Sequence, residues 1–65
     1  MKRYLVFAGA NDYPLRGWGD FKKDFDDLEL AKEFIKINER ECLYDFRWSQ
    51  IVDLETGKII YESEI

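Results

Sequence analysis

At 65 residues the chain has room for one domain and no second. A domain this short buries only about 60% of the surface its unfolded form exposes, so its core must be thin. Ten Lys and Arg against fourteen Asp and Glu give a net charge of -4, which argues against binding a nucleic-acid backbone, a mode that needs a clustered basic excess.

The first segment, 2–10 (KRYLVFAGA), is rich in aromatic and β-branched residues and reads as a strand. Tyr4, Val6 and Ala8 alternate with Leu5, Phe7 and Gly9, so both faces are apolar, as in a strand covered on two sides. Gly9 marks a place where another group comes close to the backbone.

Residues 11–25 read as an unusually long connection. Asn11, Asp12 and Pro14 are turn formers, and Gly17 and Gly19 flank Trp18. Tyr13, Leu15, Trp18 and Phe21 are too apolar for a solvated linker. Two readings stand: the segment folds back as a lid over one end of the sheet, or it forms the rim of a binding site.

Residues 27–40 carry a full set of helix signals. Asp26 suits the N-cap with Glu29 closing a capping box, and Phe25 with Leu30 occupy the positions of a hydrophobic staple. At 3.6 residues per turn Leu30, Ala31, Phe34, Ile35 and Ile37 fall in one half of the cylinder and Leu28 on its border. Glu29, Lys32, Glu33, Lys36, Glu39 and Arg40 fill the wet half, with Glu29–Lys32 and Glu33–Lys36 as i,i+3 pairs. Cys42, Leu43 and Tyr44 then finish the apolar stripe or cover the helix end.

Strands are predicted at about 46–54 and 58–64, joined by Glu55-Thr56-Gly57 with Gly57 in the left-handed region of a bulged turn. Phe46, Trp48, Gln50, Val52 and Leu54 share one face of the first of these strands, and Ile59, Tyr61, Ser63 and Ile65 one face of the second. The acidic tail marks an edge strand protected by charge. The expected architecture is therefore α+β, in the order β-α-β-β, with one amphipathic helix packed on a three-stranded, mainly antiparallel sheet.

Catalysis finds little to work with. There is no histidine, so the usual Ser or Cys nucleophile machinery cannot be assembled, and Cys42 sits at the negative end of the helix dipole, which disfavours its thiolate. A lone cysteine makes no internal disulfide. The acids around 20–27 fail the calcium-loop pattern, and Gly17-Trp18-Gly19 lacks the third glycine of a phosphate fingerprint. No catalytic residue, metal or cofactor is expected. The apolar run 4–10 is too short for a signal peptide, and no run reaches the roughly 20 apolar residues of a membrane span, which points to the cytoplasm.

An excess of apolar side chains remains. Val52 and Ile59 oppose Ile51 and Ile60, so one helix cannot shelter the whole sheet and a second cover is needed. A second copy of the chain is the simplest one, and homodimerisation is expected. For a further partner, Tyr13, Arg16, Trp18, Phe21 and Lys22 form the candidate binding residues, aromatic anchors beside an arginine being the stuff of interface hot spots. The same aromatic and basic mixture would also suit a small nucleotide, with Arg16 and Lys22 on its phosphate.

The stretches YLVFAGANDYPLRGWGDFKKDFDDLELA and WSQIVDLETGKII resemble a group of very short phage and bacterial proteins, over most of the chain. The shared motifs are structural: a glycine-tryptophan loop, a capped helix and a Thr-Gly hairpin. The resemblance implies a strand-helix-strand-strand fold and no catalytic residues. By analogy with other phage proteins of this size, it implies a non-enzymatic inhibitor of host machinery, such as an anti-defence protein.

Overall fold

A computed structural model describes residues 1–10, 17–41 and 46–64. These form β1 (Tyr4–Gly9), a short 3-10 helix (Gly17–Asp20), β2 (Phe21–Phe25), α1 (Leu28–Arg40), β3 (Trp48–Asp53) and β4 (Lys58–Glu64). The described strands make one four-stranded sheet in the order β2-β1-β3-β4, antiparallel throughout. The class is α+β, but the three-stranded sheet expected from sequence is corrected to four, because β2 lies inside what reads as a connection. Three of its five residues, Lys22, Lys23 and Asp24, are charged, which an edge strand tolerates and a central strand does not.

β1 lies between β2 and β3, which explains why its residues are apolar on both faces: Leu5, Val6 and Ala8 are all buried. Above one face lies α1. Val6, Ile51, Ala31 and Ile35 form the fully buried centre, with Tyr4, Phe25, Leu28, Phe34 and Tyr61 packed around them. Ala31 matters for its smallness, since it lets the helix backbone approach the sheet.

The N-cap is Asp27, not Asp26: its side chain accepts a 2.9 Å hydrogen bond from the Glu29 amide. Starting one residue later removes the capping box and the staple. Phe25 instead ends β2 and sets its ring 5.3 Å from that of Phe34, which in turn meets Phe46 edge-on at 5.7 Å. The helix is also rotated from the expected stripe. Leu30 and Ile37 stand 53% and 44% exposed, while Asn38 and Glu39 are half-buried in their stead.

The β3–β4 turn takes in Leu54 as well as Glu55-Thr56-Gly57. The Gly57 amide donates to the Asp53 carbonyl at 2.7 Å with φ +72° at Gly57. Ile51 pairs with Tyr61 but Val52 with Ile59, so Ile60 is left out of the ladder as a bulge. That extra residue reverses the alternation: Tyr61 faces the helix and Ile59 the opposite side, correcting the shared face read from sequence. On β3 the row Ser49, Ile51, Asp53 is the buried one and lies on the helix side, although it reads as the more polar.

Candidate interaction surface

The face of the sheet away from α1 is assembled by strand register. Gly9 lies opposite Trp48, Phe7 opposite both Gln50 and Phe21, and Leu5 opposite Val52, which is itself opposite Ile59. Cross-strand partners share a face. Phe7 and Phe21 meet edge-on with ring centroids 5.8 Å apart. The Trp48 indole lies against Gly9 and donates from Nε1 to the Ala10 carbonyl at 3.3 Å. Leu5 is buried there, Phe7, Phe21, Trp48 and Val52 are half-buried, and Ile59 is 50% exposed.

Of the five residues picked from sequence, the structure places Phe21 on this face. Lys22 lies at a bulge in β2, where the pairing with β1 shifts between Val6 and Phe7, and its ammonium sits 5.8 Å from the centroid of the Phe46 ring, on the helix side. Tyr13 and Arg16 lie outside the described residues, and for Trp18 the description extends to the backbone of the 3-10 helix. Phe21 and Lys22, adjacent in the chain, are thus not brought together. Trp48, Val52 and Ile59 are not among those five, although the sequence sets Val52 and Ile59 on one of the two apolar faces of which one needs a second cover. The alternation Trp48, Gln50, Val52 was visible in the sequence, but not which side the helix would take.

The titratable groups at the end of the sheet are committed to structure. Arg3 grips Asp53 with two bonds, Nε to Oδ1 at 2.9 Å and Nη2 to Oδ2 at 3.0 Å, and reaches Glu55 through Nη1 at 3.1 Å. Asp53 also accepts from the Glu55 amide at 3.0 Å. The Arg3 bond is the main reason the Asp53 carboxyl stays ionised below the ordinary carboxylate range, with burial, the next largest influence, pulling the other way. Asp24 is held low as well, first by the Lys2 amide that donates to it at 2.9 Å. Among the described residues no group of three or more His, Cys, Asp or Glu could hold a metal ion, and no helix is long and apolar enough to cross a membrane.

Two comparisons bear on this arrangement. The sequence profile of bacteriophage T4 protein Y07C matches residues 4–63, which takes in every strand and the helix apart from Glu64. An uncharacterized 16.0 kDa protein in the segB-ipI intergenic region of Enterobacteria phage T4 is 35% identical over 60 residues, covering 88% of this chain and 44% of that protein. The chain therefore spans less than half the length of that relative. No solved structure matches it.

Proposed function

The chain belongs to the family of bacteriophage T4 protein Y07C, and from that premise we propose that it is a small, homodimeric, non-enzymatic interaction protein that binds and inhibits a host protein. The partner is a protein of the host cell, such as a defence or metabolic factor. The surface is the helix-free face of the sheet, together with Tyr13, Arg16 and Trp18 of the segment preceding β2.

One observation carries this reading. Among the described residues one α-helix shelters one face, and the other presents Phe7, Phe21, Trp48, Val52 and Ile59 with apolar area still open to water. Aromatic and aliphatic side chains on a rigid sheet suit the centre of an interface, where most binding energy is concentrated. The small-ligand alternative has less support, since Lys22, its phosphate-holding residue, is drawn to Phe46 on the far side from Phe21.

Capture from host lysate tests the reading. The unsubstituted chain is expected to retain a defined host protein that Ile59→Glu and Trp18→Ala lose while remaining folded. Equal recovery by all three chains contradicts it.

A further inference from the structure

The helix has two flanks, and the structure uses them differently. On the side of β4, Lys32 places its ammonium 5.6 Å from the centroid of the Tyr61 ring, and Glu39 accepts a 2.6 Å bond from the Ser63 hydroxyl. That flank is tied to the sheet. On the other, Leu30 and Ile37 stand 53% and 44% exposed, two turns apart, with half-buried Phe34 between them. The ring of Phe34 is fixed by Phe25 and Phe46, so the strip has a firm floor.

Beside this strip runs a row of exposed charges in a particular order. Glu29 and Glu33 occupy the N-terminal half of the helix, Lys36 and Arg40 the C-terminal half. Such a row is complementary to itself when reversed.

The sheet edges are poor places for a second copy to join. β2 carries its bulge at Lys22, followed by Lys23 and Asp24, and β4 carries its bulge at Ile60, followed by Glu62 and Glu64. Bulges and edge charges both oppose strand addition.

We propose that the Leu30–Phe34–Ile37 flank is the seam between two copies of this chain, packed antiparallel about a two-fold axis near Phe34. The inference rests on the homodimeric part of the reading above and gives it a geometry. The rotation sets Leu30 beside the partner's Ile37, and Ile37 beside the partner's Leu30, a contact that uses the same patch twice. It also brings Glu29 and Glu33 of each copy to Lys36 and Arg40 of the other, as flanking charges do in coiled coils. A parallel arrangement would bring like charges together and align the two helix dipoles. One 13-residue helix offers a small seam, in the class of transient contacts below about 1,200 Å2, so association belongs at high concentration.

Sedimentation equilibrium over a wide concentration range tests the seam. The unsubstituted chain is expected to rise from 7.8 kDa toward twice that mass. Glu29→Lys with Glu33→Lys, and Lys36→Glu with Arg40→Glu, are each expected to remain at the single-chain mass. An equal mixture of the two, and the chain carrying all four changes, are expected to regain the dimer. All six helix positions of the strip and the row, Phe34 aside, are exposed, and unfolding curves of each variant verify that it is folded. An unsubstituted chain that stays at 7.8 kDa throughout overturns the seam, as do charge variants that dimerise like the parent. Monomeric charge variants that still capture the host protein leave partner binding standing, whereas lost capture by an intact dimer removes partner binding and leaves the seam.

Discussion

The indole of Trp48 occupies the space that a side chain on Gly9 would need. A Cβ at Gly9 would lie 2.9 Å from Cζ2 and 3.0 Å from Nε1 of that ring. Gly9→Ala therefore has to displace the ring and strain its bond to the Ala10 carbonyl. The expected cost is about 1–3 kcal/mol, as for other overpacked sites, seen as a lower urea midpoint and an altered Trp48 environment in near-ultraviolet circular dichroism. An unchanged midpoint would show that the ring moves aside freely.

The helix start offers a sharp contrast between neighbours. Asp27 caps, whereas Asp26 is exposed and precedes the cap. Asp27→Ala is expected to lower stability by about 1 kcal/mol, the usual worth of a cap, with Asp26→Ala close to neutral. Urea unfolding of the two variants side by side checks this, and equal losses would contradict the assignment.

Ser49 is 1% exposed, and its hydroxyl has no hydrogen-bond partner among the described residues. Its cross-strand neighbour Ser63 is satisfied by Glu39. A buried hydroxyl left unpaired costs about 1–3 kcal/mol in lost hydration, so Ser49→Ala is expected to match or exceed the parent in stability. Ser63→Ala should lose about 1 kcal/mol with its bond. A large loss at Ser49→Ala would mean that the hydroxyl has a partner in solution.

Acid should loosen the sheet through Asp53. Its folded carboxyl titrates below the ordinary 3.8 because Arg3 binds the ionised form. The unfolded chain therefore takes up the proton first as pH falls. The resulting stability is fully present above 3.8 and drains away as pH drops through the lower folded value. Asp24 acts in the same direction. The stability gap between the parent and Asp53→Asn, measured by urea unfolding from neutral to strongly acidic pH, is expected to close below pH 3.8. A gap independent of pH would show that the charge is not what counts.

The helix and the β3–β4 turn were readable in the sequence for local reasons. Thirteen residues with helical periodicity end in a basic turn, and only glycine adopts the φ of +72° at Gly57 without cost. Gly9 also read correctly as a close approach, which the Trp48 ring makes. The remainder depended on contacts between distant segments. β2 hid because its charges and its bulge at Lys22 erase the two-residue period. Asp26 reads as the cap, but the helix starts one residue later, with Asp27 capping. Leu30 and Ile37 read as core because their apolarity suits burial, whereas the sheet meets the helix along Leu28, Ala31, Phe34 and Ile35. The Ile60 bulge moved Ile59 to the other face, beyond the reach of any simple alternation. As for the chosen site, Phe21 pairs with Phe7 on the helix-free face, whereas Lys22, at the bulge, reaches Phe46 on the helix side.

The functional account depends on the sheet having one sheltered face and one available face. Methyl relaxation by a soluble paramagnetic agent, read at isoleucine and valine positions in dilute solution, measures this directly. Ile59 is expected to relax strongly and Val52 in part, with Ile35 and Ile51 beneath the helix unaffected. Ile59 as protected as Ile51 would mean that the second face is already closed within the single chain, and the proposed interaction surface would be lost with it.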